Sequence, residues 1–211
     1  MKKLLIAIAA VLFSAPSFSQ INTGEFSVDE SSVYYGVRFG LNVASLAGEK
    51  ETLGTNTGIN LGAVIGLRLS DTTPIFLESG LYYTERGASK GKTEVNLNYL
   101  EIPVLIKAGF EATDDIAILP FIGPTISLGI AGKMKGYDEK GEFYSESSFG
   151  NSSYNTFKYS RPDVSIKVGC GAEWNMIYLE TGYQFGIANV LDSEEFSQRG
   201  NAFFVNFGVN F

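Results

Sequence analysis

The amino-acid sequence predicts an all-β chain: one eight-stranded antiparallel up-and-down transmembrane β-barrel over residues 33–211. Three observations predict it. Apolar residues recur at every second position in eight separate windows, which is the pattern of strands with one oily face. The other face of those windows carries glycine and charged residues, where a soluble sandwich or lipocalin-type barrel needs bulky side chains to fill its interior. The connections between windows run alternately long and short, as tight periplasmic turns and larger outer loops do.

The chain opens with Lys2 and Lys3, an apolar run from Leu4 to Phe13, and small residues at the -3 and -1 positions, Ser17 and Ser19, of a cut after Ser19. These are the three regions of a secretory signal peptide, so residues 1–19 are assigned to it. A membrane-spanning helix needs about 20 apolar residues, and this run stops at Phe13. Residues 20–32 read as a polar periplasmic leader.

The first strand sets Val33, Tyr35, Val37, Phe39, Leu41 and Val43 against Tyr34, Gly36, Arg38, Gly40 and Asn42. The second sets Ile59, Leu61, Ile65, Leu67 and Leu69 against Asn60, Gly62, Gly66 and Arg68. In the third, Ile75, Leu77, Leu81 and Tyr83 oppose Glu78, Gly80 and Tyr82; in the fourth, Leu100, Ile102, Val104 and Ile106 oppose Glu101, Pro103 and Lys107. The fifth places Ile122, Ile126, Leu128 and Ile130 against Gly123, Thr125, Ser127 and Gly129. The sixth runs Val164, Ile166, Val168, Cys170, Ala172 and Trp174 against Ser165, Lys167, Gly169, Gly171 and Glu173. Ile177, Leu179, Tyr183, Phe185 and Ile187 against Glu180, Gly182, Gln184 and Gly186 make the seventh. The last is Phe203, Val205, Phe207, Val209 and Phe211 against Asn206, Gly208 and Asn210.

Small plus charged is the composition of a narrow, crowded, polar lumen. The uninterrupted apolar face is then the outside, and outer-membrane lipid is the surrounding that tolerates it. Aromatics near the strand ends (Tyr34, Tyr35, Phe76, Tyr82, Tyr83, Tyr99, Trp174, Tyr178, Phe203 and Phe211) read as interfacial girdles. The connections fall at 44–57, 70–74, 87–94, 109–115, 132–162, 175–176 and 189–201.

Composition removes whole classes of activity. With 45% hydrophobic and 18% charged residues, apolar burial offsets the ordering entropy and the chain folds. The absence of His takes away the commonest general base, zinc ligand and partner of a nucleophilic Ser or Cys. No enzyme activity, cofactor or metal is therefore expected. A net charge of -7 is the wrong sign for nucleic acid, and the single Cys170 rules out an intrachain disulfide.

The carboxy-terminal row Phe203, Val205, Phe207, Val209 and Phe211 resembles the assembly signal of bacterial outer-membrane barrels. With the block Tyr99-Leu100-Glu101-Ile102-Pro103-Val104-Leu105-Ile106-Lys107 and the Gly123-Pro124 pair, the chain resembles the "porin family" or PorT-like barrels of Bacteroidetes-type bacteria. These are akin in architecture to OmpA and OmpX. The resemblance implies a multi-pass protein of the outer membrane and an encounter with the barrel insertion machinery. It implies no catalytic motif, and the porin label describes a fold.

Candidate sites are few. Glu78, Glu101, Glu173 and Glu180 share the lumen parity with Arg38, Arg68, Lys107 and Lys167, and matched ions in a narrow tube form a structural network. Arg68 and Glu78 flank a short connection, so a tight hairpin brings them opposite each other, with Lys107 on the far side. The segment from Gly87 to Thr93 has three residues between its first Gly and Gly-Lys-Thr, one fewer than a phosphate loop needs. The Asp192-Ser193-Glu194-Glu195 stretch lacks the spacing of a calcium loop. Cys170 sits on the lipid parity, where a thiol packs as a small hydrophobe.

The loop at 132–162 carries Tyr137, Phe143, Tyr144, Phe149, Tyr154, Phe157 and Tyr159 among small polar residues. That composition suits a contact surface for protein or glycan, or a segment that folds back over the barrel mouth or rests in the lipid headgroups. The expected role is structural or adhesive. A narrow gated pore, or an accessory subunit of a secretion or motility complex, are the alternatives.

Deleting Phe211, or making Phe207 and Phe211 polar, is expected to leave export across the inner membrane intact and block insertion into the outer one. Fractionation of the two membranes checks this, and normal outer-membrane levels would refute it.

Overall fold

The structure is a computed structural model that describes residues 33–48, 54–70, 73–137, 141–149, 159–191 and 197–211. The expected signal peptide and leader lie outside the described residues. The strands are β1 (Val33–Gly48), β2 (Gly54–Arg68), β3 (Ile75–Lys90), β4 (Thr93–Ala108), β5 (Phe110–Thr113), β6 (Ile116–Tyr137), β7 (Phe143–Ser147), β8 (Pro162–Trp174), β9 (Ile177–Gly186) and β10 (Gln198–Asn210). Eight of them form a closed ring in which each pairs antiparallel with its chain neighbour, β4 with β6 and β1 with β10. The short strands β5 and β7 pair with β6 beyond the ring. Closure is completed by Tyr35 and Phe211, which exchange backbone hydrogen bonds of 3.1 and 2.7 Å. A ring leaves no strand edge open to lipid, the condition for crossing a bilayer with strands.

Both chain ends of the ring lie on the side of the 175–176 turn, where Asn175 takes a left-handed φ of 54°, a conformation Asn tolerates in two-residue hairpins. Short turns mark the periplasmic side. From that end upward, Val37, Phe39, Leu61, Ile106, Ile122, Val168, Leu179 and Phe207 all point outward and are exposed. The opposite parity is largely buried on β1, β4, β8 and β10.

At one level the polarity of the two faces inverts. Above Val43, Tyr83, Leu100 and Phe203, the outward row becomes Ser45, Glu85, Asn98 and Asn201, while the inward row becomes Leu46, Ala88, Leu97 and Val95. The period of two persists, but the outer solvent has changed from lipid to water, so apolar side chains go inside. A bulge on β6 at Ile130, between the pairs Tyr99–Gly129 and Asn98–Ala131, resets parity so that Met134 also faces inward.

This inversion accounts for the differences from the expected connections. The 87–94 segment, expected as a long loop, is strand on both sides of a two-residue turn at Gly91–Lys92, with Gly91 at φ 60°. β1, β2, β6 and β10 likewise run past the expected ends. A search for apolar residues on the outer face loses the strands where that face turns polar.

The aromatic girdle also needs correction. Tyr35, Trp174, Phe203 and Phe211 do face out, whereas Tyr34, Phe76, Tyr82, Tyr99 and Tyr178 are buried in the lumen. Lumen glycines seat these rings. A Cβ at Gly66 would collide with the Tyr34 ring, one at Gly171 with Tyr178, and one at Gly62 would come within 2.5 Å of Tyr82. Glycine on this face therefore makes room for a neighbouring ring across the strand pair.

Val168→Arg, on the lipid face near mid-strand, is expected to cost about 2–4 kcal/mol of folding free energy in bilayers. Urea titration in lipid vesicles measures this; a variant as stable as the parent would overturn the parity assignment.

Candidate functional site

The lumen is crossed by two ion clusters. In the periplasmic half, Glu78 on β3 has no exposed surface. Its Oε2 accepts a hydrogen bond from the Tyr34 hydroxyl at 2.6 Å and pairs with Lys107 at 2.9 Å and Arg38 at 3.4 Å. Lys107 Nζ also donates to the Tyr178 hydroxyl at 2.8 Å and lies 3.7 Å from Glu180. The Arg38 guanidinium stacks 4.2 Å over the Tyr178 ring, which supports a desolvated cation.

The outer half is built around Glu101 on β4. It pairs with Lys167 at 2.9 Å and with Arg86 at 3.0 Å, and Arg86 reaches on to Asp163 at 3.0 Å. Arg86 also lies 4.1 Å over Tyr99. An amide chain extends from the periplasmic cluster: Asn42 donates to Asn60 at 3.1 Å, Asn60 to Asn206 at 3.2 Å, and Asn206 to Glu180 at 2.8 Å. Glu173 accepts from Asn210 at 2.8 Å.

Geometry changes the membership of the expected network in three places. Arg68 does not meet Glu78: its Nε donates to the Ser70 carbonyl at 2.8 Å at the rim. The register sets Arg68 opposite Phe76 and Glu78 opposite Gly66, one inward position higher than a tighter hairpin would, and Arg38 from β1 fills the place. Arg86 and Asp163 join the outer cluster, although neither was singled out in the sequence. Both share lumen parity with Glu78 and Lys167 on their own strands, and both sit where the outward apolar pattern fades.

Above the ions lies an apolar cap of Leu46, Ala88, Val95, Leu97, Tyr99, Met134, Phe149, Tyr159 and Val190. Phe149 and Tyr159 come from the aromatic loop and return over the mouth. The Phe149 ring sits edge-on to Tyr99 at 5.9 Å, against Gly129, where a Cβ would collide with it. Arg161 Nη1 donates to the Gly129 carbonyl at 2.8 Å. Burial pushes the Tyr159 phenol up to about 12, so it is neutral at physiological pH. Between the cap and the outer cluster is a cavity of about 10 Å³ bordered by Arg86, Tyr99 and Asp163, the size of a single water.

The rest of the loop divides. Tyr137 and Phe143 are 51% and 61% exposed on the β6–β7 hairpin, with rings 5.7 Å apart, while Tyr144 packs against the cap. Tyr154, Phe157 and the Asp192 to Glu195 stretch lie outside the described residues. Cys170 is exposed on the lipid face, and Gly87 to Thr93 is the β3–β4 hairpin. Among the described residues no group of His, Cys, Asp or Glu is arranged to hold a metal ion.

Residues 18–192 match the family model of the outer membrane protein β-barrel domain. The chain belongs to that family. This outer-membrane barrel therefore resides in the bacterial outer membrane, as its lipid-facing surface requires. Solved structures with a similar fold include Ail, the attachment invasion locus protein of Yersinia pestis, at 13% identity and TM-score 0.46 over 86% of this chain and 100% of that one. Neisserial surface protein A is 15% identical with TM-score 0.49, covering 86% and 98%. OprG of Pseudomonas aeruginosa is 9% identical with TM-score 0.48, covering 87% and 98%. No curated protein sequence matches the chain.

Glu78→Gln is expected to strand Arg38 and Lys107, and breaking a buried pair of this kind costs about 3–5 kcal/mol. The heat-modifiable gel shift of the barrel should move to lower temperature, and adding Lys107→Met should recover part of the loss. Arg68→Met should stay within about 0.5 kcal/mol of the parent. Equal transitions for all variants would mean a lumen wet enough to screen its charges.

Proposed function

We propose that this barrel works from its outer face, as a closed scaffold that presents an aromatic loop surface to a protein or glycan. The observation that carries the reading is the division of the 132–162 loop. Phe149 and Tyr159 are buried and anchor it to the barrel, which leaves Tyr137 and Phe143 exposed above the membrane level. Lys92 lies 5.2 Å over the Tyr137 ring from the neighbouring hairpin. Rigid aromatics beside a cation, with small polar neighbours, suit protein and glycan contacts.

A conduit is the weaker reading, because four cations and five acids are buried in the lumen, ion pairs cross it from β4 to β9 and from β3 to β8, and an apolar cap lies over them. The Tyr99 to Lys107 block behind the PorT-like resemblance alternates between lumen and lipid. It speaks for barrel architecture and not for a particular machine. The outward row from Phe203 to Phe211 fits recognition by the insertion machinery.

Two measurements test the reading. Single-channel recording in planar bilayers should show no conductance steps; steady steps would favour the pore. Cells displaying the Tyr137→Ser, Phe143→Ser double variant should bind immobilised extracellular proteins and glycans about tenfold less than cells displaying the parent, as expected when aromatic anchors are lost. Unchanged adhesion at equal surface levels would remove the aromatic hairpin from the proposal.

A further inference from the structure

A notch interrupts the outer rim beside β10. The β9–β10 ladder ends at the pair Gln184–Ala202, whereas the β1–β10 ladder continues through Ser45–Asn201, Ala47–Arg199 and Gly48–Gln198. Beyond β9 the chain follows β10 without a regular ladder, the Val190 amide donating to the Gln198 carbonyl and the Gln198 amide to Asn189 Oδ1, both at 2.8 Å. The Asn201 side chain covers the end of the shorter strand, its Oδ1 accepting from the Gly186 amide at 3.2 Å. Beside this irregular pairing is a cleft of about 560 Å³, bordered by Ala47, Phe185, Gly186, Ser197, Arg199 and Asn201.

Three features define what fits there. The first is depth: Phe203 and Phe185 face lipid and are about half exposed, and the next outward residues on β10 are Asn201 and Arg199. The cleft therefore straddles the boundary between hydrocarbon and headgroups. The second is charge. Arg199 is exposed, and among the described residues no carboxylate lies within ion-pair distance of it. Its planar fork suits two oxygens of one phosphate. The third is the polar lining: Asn201 and Ser197 border the same space together with the apolar ring of Phe185.

We propose that this notch is a binding site for the phosphorylated headgroup of an outer-leaflet lipid. Arg199 holds the phosphate, and the acyl chain descends along Phe185 and Phe203. A free phosphate would use Arg199 but would gain nothing from the apolar ring. The site is separate from the aromatic hairpin and from the lumen, and binding there requires no opening of the barrel.

The test is native mass spectrometry of the folded full-length barrel released from micelles containing phosphatidic acid or phosphatidylcholine of equal chain length. The parent should retain one phosphatidic acid in preference to phosphatidylcholine by about fivefold, the factor that one rim cation contributes. Arg199→Gln should remove the preference, and Arg199→Lys should keep part of it. Lys133→Gln, an outward rim cation on β6, should leave it intact, and all variants should show the parental heat-modifiable shift. Retained preference in Arg199→Gln, or an equal loss in Lys133→Gln, would overturn the site in favour of diffuse charge attraction. Displacement of the lipid by an equal concentration of inorganic phosphate would overturn the lipid assignment in favour of a free anion.

Discussion

Closing eight strands into a ring satisfies the backbone in lipid, but it leaves an interior too narrow for bulk water. Whatever points inward must fill that space and satisfy its own charge. The arrangement of Glu78 with Tyr34, Lys107 and Arg38, and of Glu101 with Lys167 and Arg86, follows from this constraint. So do the glycines. Rings as large as Tyr34, Tyr82 and Tyr178 enter the lumen because Gly66, Gly62 and Gly171 leave the space across the strand pair. Cations then stack on these rings, as Arg38 does on Tyr178, and the polar and aromatic parts form one packed interior.

The same strands pass through two solvents. Within the membrane the outside is apolar and the inside polar; above it the order reverses without a change of period. Leu46, Leu97 and Met134 thereby become a small water-excluding core on top of an ionic one. Phe149 and Tyr159 join that core, so the longest loop is tied at the barrel mouth. Among the described residues its exposed aromatics, Tyr137 and Phe143, stand on an anchored hairpin. A rigid base lowers the ordering cost of any contact made there.

On the function proposed for it, this scaffold carries its site on the exterior. The lumen gives the loops a fixed frame, and the end of regular β9–β10 pairing at Gln184–Ala202 leaves the Arg199 cleft in the rim. The extension of β6 to Tyr137 gives the β6–β7 hairpin.

Period, parity and the identity of the lipid-facing row were legible in the sequence, because alternation is a local property and the chain repeats it eight times. Parity alone places Arg38, Glu78, Glu101, Lys107, Lys167, Glu173 and Glu180 inward. What parity cannot supply is register. Arg68 and Glu78 look adjacent along the chain, yet the ladder sets Glu78 opposite Gly66 and brings Arg38 from forty residues away. Arg86 and Asp163 sit above the level where the outward pattern turns polar, so only the closed ring reveals that they meet. Tyr34 and Tyr82 could have been read inward from their even positions, but their seats on Gly66 and Gly62 depend on pairing between strands. Local alternation decided which face each side chain takes. The closed ring, through its register, decided which of them touch.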